Sequence, residues 1–236
     1  MNEPATTPSA PSAAPSSISA PPAQPLPETT ARLIFIRHGK QIPTSERTDA
    51  NRNDPPLAGT GRHQAFERAQ VLCASLKGVA PVLVTSSPML RALQTAAPIA
   101  EALGATLAVH GGCYEFGAAG AEFRGSGLAV LRSFSATLSH VGPRGEWDYS
   151  GASSRETDAE IRQRARHIVE WLRSEYVPSA RGGVAILVAH ATFLDLLVQL
   201  LVSGTDARWQ YGDQRYKFGH AGAKELVARG DIFEAV

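Results

Sequence analysis

The chain has little cysteine: Cys73 and Cys113 are its only two, among 236 residues. They lie far apart and lack CxxC spacing, which argues against a disulfide framework and against a zinc site, and makes a reducing compartment the default. Long apolar runs are missing as well, and none approaches the ~20 residues needed to span a bilayer. A formal net charge of +1 leaves no strongly basic or acidic balance that would point to nucleic acid or a membrane surface as partner. The first 31 residues lack most of all: they hold no aromatic residue, no Lys or Arg and almost no large apolar side chain, but eight of the sixteen prolines. Such a segment cannot bury enough surface to offset its conformational entropy, so residues 1–31 are expected to form a disordered Pro/Ala/Ser-rich tail. It has neither the basic start nor the apolar core of a secretory signal, and the missing arginines argue against a mitochondrial presequence. Its Ser and Pro leave a plastid address open, although Glu3 suits one poorly. The expected location is the cytoplasm.

Residues 32–236 are enough for about one ordinary α/β domain. Three continuous apolar runs stand out: "LIFI" at 33–36, "PVLVT" at 81–85 and "VAILVA" at 184–189. Each is short and does not alternate, the pattern of central parallel strands covered on both faces. Helical spacing follows each of them. In 59–76, Ala65, Ala69, Leu72 and Leu76 share one stripe. The stretch 87–104 opens with Ser87-Pro88, read as an N-cap followed by proline at the first helical position, and closes at Gly104; Pro98 inside it is expected to kink it. In 157–172 a Thr157…Glu160 capping box precedes Ile161, Ala165, Ile168 and Leu172 on one face. "ATFLDLLVQLLV" (191–202) follows the third run at once. Residues 223–236 read as a hairpin turning at Arg229-Gly230-Asp231. Residues 110–156 are rich in glycine and read as an irregular lid-like insertion holding one helix at 126–138. Strands alternating with helices predict a three-layer α/β/α sandwich around a mostly parallel central sheet.

In an open α/β sheet, ligands bind beyond the carboxyl ends of the strands. That rule gathers Arg37, His38 and Gly39 after the first run, Ser86, Ser87 and Arg91 after the second, and His190 after the third. Arginine stays charged and its planar fork matches phosphate oxygens. A helix N-terminus offers N–H groups to an anion, glycine allows close backbone approach, and a neutral imidazole can attack phosphorus. The collection suits a phosphoryl group. Taken singly, His190 reads more readily as a structural hydrogen-bond donor and Arg91 as a solvated helix residue; it is their common position at one sheet edge that points to a site.

The motifs resemble the histidine phosphatase superfamily, in its phosphoglycerate-mutase-like branch. "LIFIRHGK" is similar to its signature strand and loop, "DPPLAGTGRHQA" (54–65) to the stretch leading into its first helix, "SSPMLRALQTAAPIAEALG" (86–104) to its second phosphate-binding segment, and "ILVAHATFLDLL" (186–197) to its last strand and second histidine. The resemblance covers roughly 32–202 and implies a phosphoglycerate-mutase-like fold and a two-step reaction. His38 would be the nucleophile forming a phosphohistidine, with Arg37, Arg91, His190 and Gly39 around the phosphoryl group. The family's general acid is a Glu, which the resemblance places at Glu115 in "GCYEFGAAG" (111–119); by its own chemistry Glu115 is an ordinary loop carboxylate. Neither a metal nor a cofactor is implied, and the expected partner is a small phosphorylated substrate.

Departures from the family pattern bear on the substrate. Ala191 stands where Gly often follows the second histidine, Lys40 follows Gly39 where Glu, Gln or Arg is common, and Thr44 falls where a phosphate-contacting Asn is frequent, with Asn51 and Asn53 as substitutes. Mutases of the family carry a basic-aromatic stretch soon after the acid, whereas "FGAAGAEFRGSG" (116–127) offers only Arg124. A lid with so little grip favours release of product and entry of water, hence a phosphatase. Lys40, Thr44 and Arg124 are candidate substrate contacts. A phosphoglycerate-mutase-type phosphoryl transferase and a non-catalytic phospho-ligand binder on the same fold remain the alternatives.

Overall fold

A computed structural model of the protein describes residues 30–80, 82–116, 126–135, 137–143, 145, 147, 156–204, 209 and 214–236. Its centre is a seven-stranded sheet whose spatial order is β4-β3-β2-β5-β1-β6-β7. The strands are β1 (Thr30–Arg37), β2 (Val82–Ser86), β3 (Leu107–His110), β4 (Thr137–Ser139), β5 (Val184–Ala189), β6 (Ala223–Arg229) and β7 (Ile232–Ala235). β1 to β5 pair in parallel, while β6 runs antiparallel to both β1 and β7. The sheet is therefore mostly parallel, as its unbroken apolar runs predict.

Both faces of the central strands are buried, which is why those runs do not alternate. On β1, Leu33 and Phe35 join the core layer that includes Ile161, Ile168, Phe193 and Leu197. Ile34 and Ile36 point the other way, to Ala69, Leu72, Ala96 and Ile99. The first layer belongs to α4 (Asp158–Trp171) and α6 (Ala191–Ser203), the second to α1 (Gly59–Ser75) and α2 (Leu90–Leu103). The result is a helix–sheet–helix sandwich. The Thr157–Glu160 capping box forms at the start of α4, and Gly104 ends α2 with φ of 62°, in the left-handed region that favours glycine. The C-terminal hairpin turns where expected, with Gly230 also at positive φ.

Four expectations need correction. β1 begins at Thr30, opposite Arg229, so Thr30 and Ala31 belong to the sheet and not to the tail; both are buried. Residues 1–29 lie outside the described residues. The stretch 110–156 is not simply irregular, because it supplies the edge strand β4, and the helix expected over 126–138 is shorter: α3 spans Leu128–Phe134. Ser135 ends it there, its one hydroxyl proton within reach of both the Leu107 and the Thr137 carbonyl oxygens, where the chain turns onto the sheet. Finally, Ser87 does not cap α2. That helix begins at Leu90, whose N–H donates to Asp54 at 2.8 Å, and the Ser87 hydroxyl is used elsewhere. Pro98 lies within α2, which continues through it to Leu103. Among the described residues no helix is long and apolar enough to cross a membrane.

Candidate active site

The carboxyl ends of β1, β2 and β5 lie side by side, with Arg37 opposite Ala189 and Ser86 opposite Val188. The residue after each strand therefore emerges at one edge. His38 follows β1 and is 4% exposed; His190 follows β5 and is fully buried. Their ring centroids are 5.1 Å apart. Arg91, in the first turn of α2, reaches the same point, its Nε 3.2 Å from His38 Nε2.

His38 Nδ1 lies 2.7 Å from the Gly39 carbonyl oxygen. A carbonyl can only accept, so Nδ1 carries the proton and Nε2 carries the lone pair. Burial holds the imidazole well below its ordinary pKa, helped by the charges of Arg91 and Arg37 and opposed by the Gly39 bond. His190 is pushed the same way, by burial first and then Arg91. Its Nε2 is 2.8 Å from Ser87 Oγ. That hydroxyl also accepts from the Met89 N–H at 3.3 Å; in the tautomer where it donates to His190 Nε2, Nδ1 carries the ring's proton as its unspent donor.

The cations are only partly engaged. Arg37 donates from Nη1 to the Phe218 carbonyl at 2.9 Å. Arg91 Nη1 stands 4.0 Å from Asp54. Among the described residues, Arg37 Nε, Arg91 Nη1, Arg47 Nε and His190 Nδ1 are buried without a hydrogen-bond partner. A buried donor left unpaired costs about 1–3 kcal/mol, so a site with several of them, charged and close together, is suited to an anion. Burial lowers the Arg91 guanidinium to about 10, with the charges of Arg47 and Arg37 adding to the effect. It stays cationic at neutral pH.

Glu115 follows the short turn Gly111–Cys113. Its Oε1 accepts from the Phe116 N–H at 2.9 Å and from the Phe193 N–H, in the first turn of α6, at 3.2 Å. Burial raises its pKa, against the pull of those two donors and of Arg91. The Arg91 and Arg37 charges both feel this carboxylate.

Gly39 has a packing part that the sequence does not show. Its N–H donates to Thr95 Oγ1 at 3.0 Å, and a Cβ there would lie 2.4 Å from the Gly61 carbonyl oxygen. The glycine lets the loop after β1 close on α1. Lys40 is exposed, and its N–H donates to Gln64. Thr44 is exposed in a short 3-10 turn, while Asn51 accepts from the Thr48 N–H. Arg124 lies outside the described residues, as does most of the segment compared with the mutase lid. Among the described residues no cluster of three or more His, Cys, Asp or Glu is arranged to hold a metal ion.

Sequence reasoning missed several neighbours of the site. Asp54 joins the start of α2 to Ser126, whose hydroxyl donates at 2.7 Å. Arg47 reaches the Arg91 charge from the loop after β1. His220 brings its ring centroid to 6.4 Å from that of His38. None carries a local signal beyond its residue type; only Asp54 sits in a stretch already singled out.

The family model of the histidine phosphatase superfamily (branch 1) matches residues 33–217. The chain belongs to that superfamily. No curated protein matches it in sequence. Solved structures do share its fold. The ecdysone phosphate phosphatase of Bombyx mori, in complex with tungstate, is 18% identical at a TM-score of 0.63, over 87% of this chain and 92% of its own. A mycobacterial glucosyl-3-phosphoglycerate phosphatase, complexed with VO3, is 21% identical at a TM-score of 0.54, over 87% and 96%. The phosphoserine phosphatase of Entamoeba histolytica, in complex with 3-phosphoglyceric acid, is 19% identical at a TM-score of 0.56, over 87% and 95%.

Proposed function

We propose that the protein is a phosphatase that hydrolyses small phosphomonoesters through a phosphohistidine on His38, without a metal ion. The observation that carries this is the fixed tautomer: the Gly39 carbonyl takes the Nδ1 proton, which leaves a buried lone pair on Nε2 beside Arg91 and His190. The superfamily membership supports it, as do three structural neighbours named as phosphatases.

The substrate's phosphoryl oxygens would lie among Arg37, Arg91 and His190 Nδ1, whose unpaired donors they satisfy. The Arg91 Nε–H now directed at His38 Nε2 turns to an oxygen, and the lone pair is released for attack on phosphorus. As the P–O bond breaks, Glu115 in its protonated form gives its proton to the leaving oxygen. Water then attacks the phosphohistidine, its proton passing to the Glu115 carboxylate. Free phosphate and the original enzyme result. Positioned proton transfer of this kind contributes roughly 10²–10⁴-fold, and the preorganised cations stabilise charge without reorienting solvent. The purified protein should hydrolyse p-nitrophenyl phosphate with chelator present, and His38→Ala should abolish turnover. Turnover in that variant equal to wild type would remove His38 as the nucleophile.

A further inference from the structure

Behind Glu115 lies an ion pair that the proposed reaction does not use. Arg164, on α4, is fully buried. Its Nε and Nη2 donate to the two carboxylate oxygens of Glu156, each at 2.7 Å. Its Nη1 donates to the Gly112 carbonyl at 2.7 Å and the Tyr114 carbonyl at 3.0 Å. Its guanidinium carbon lies 3.8 Å from the Tyr114 ring centroid and 4.2 Å from that of Phe193.

These contacts have one thing in common. Tyr114 immediately precedes Glu115, and Phe193 supplies an N–H that Glu115 Oε1 accepts. Arg164 thus holds the peptide that carries the carboxylate and the residue against which the carboxylate rests. A buried ion pair is a poor source of net stability compared with apolar side chains of similar volume, so stability alone is a weak reason for placing one here. Planar, five-donor geometry is what the position demands: two carbonyls, one bidentate carboxylate and two ring faces cannot all be served by an ammonium.

We propose that Arg164, clamped by Glu156, is a positioning residue that holds Glu115 in line with the leaving oxygen. The proposal rests on the reading of Glu115 as the general acid. Loss of the clamp should therefore hurt leaving groups in proportion to their need for a proton, a signature that loosened packing does not produce.

The test is a series of aryl phosphates from dinitrophenyl to phenyl, assayed on wild type, Glu115→Gln, Arg164→Lys, Glu156→Gln and the Arg164→Lys/Glu115→Gln double variant, with near-ultraviolet circular dichroism to verify folding. Arg164→Lys should keep dinitrophenyl phosphate turnover close to wild type and lose phenyl phosphate turnover on the order of 10- to 100-fold, the scale of a misplaced reacting group. Adding it to Glu115→Gln should steepen the leaving-group dependence no further. Glu156→Gln, which keeps both carbonyl bonds, should show the same selectivity in weaker form, and it carries the test if Arg164→Lys does not fold. An equal loss for all leaving groups in the clamp variants, beside a selective loss in Glu115→Gln, would overturn the positioning role and leave the acid in place. No selectivity in Glu115→Gln would overturn both.

Discussion

The loop after β1 packs backbone to backbone against the first turn of α1, and this close approach yields a sharp prediction. A Cβ on Gly61 would lie 2.0 Å from the Lys40 carbonyl oxygen, and one on Gly39 2.4 Å from the Gly61 carbonyl oxygen, where real Cβ contacts essentially never fall below 3.0 Å. Both obstacles are backbone atoms, so no side chain can turn aside. Gly61→Ala must part the two segments by about 1 Å and Gly39→Ala by about 0.6 Å, against tethers on both sides: the Ala58 N–H donates to Lys40 at 2.9 Å and the Gly39 N–H to Thr95 at 3.0 Å. His38 is bonded through its ring to the Gly39 carbonyl, so it moves with the loop. A 1 Å misplacement costs on the order of 10²-fold in rate, and overpacking of this kind costs about 1–3 kcal/mol in stability. Gly61→Ala should therefore lower kcat/KM by about 10²-fold, and Gly39→Ala by less, with both unfolding at lower urea. Gly59→Ala is the control, since a Cβ there meets nothing within 4 Å; it should be neutral or slightly stabilising, as alanine is the better helix former. Wild-type activity and stability in Gly61→Ala would refute the steric account of both glycines.

Two further predictions concern the titrating groups and the second histidine. In the proposed reaction attack needs His38 neutral, and its pKa is held well below 6.5, so kcat/KM should rise with pH on an acid limb lying below pH 6.5; the proposed proton donation needs Glu115 protonated, and its pKa is raised above 4.5, so the falling limb should lie above pH 4.5. In Glu115→Gln the falling limb should vanish, and an acid limb centred above pH 6.5 would contradict the environment assigned to His38. Ser87→Ala removes the partner of His190 Nε2 and leaves a buried ring nitrogen unpaired, at a cost of about 1–3 kcal/mol. Inhibition by orthovanadate should weaken by roughly tenfold, and an unchanged inhibition constant would show that the Ser87 bond does not set the His190 tautomer.

How much of this was legible before the structure depended on where each residue's partners lie. The three central strands could be read from 33–36, 81–85 and 184–189 because burial on both faces demands unbroken apolar runs. β3 and β4 could not: one is the four residues LAVH and the other the three residues TLS, too short to show any period. Charged residues at strand tips were readable because parallel strands must end at one edge. Ser87 misled because Ser-Pro is a good local cap, yet His190, more than a hundred residues away, takes the hydroxyl and Asp54 takes the helix. The close approach of Gly39 to Gly61 was hidden too, because its partner lies on another segment of the chain. Arg47 and His220 reach the site through loops, where neither periodicity nor capping leaves a trace.

The direct measurement is to mix the enzyme with a phosphorus-labelled substrate, quench in alkali within a single turnover, and locate the label. The account predicts one phosphoryl group on the His38 peptide, bound to a ring nitrogen, appearing before free phosphate and longer-lived in Glu115→Gln with an activated ester. Label on another residue, or phosphate released at the full rate with no labelled protein at any time, would contradict it.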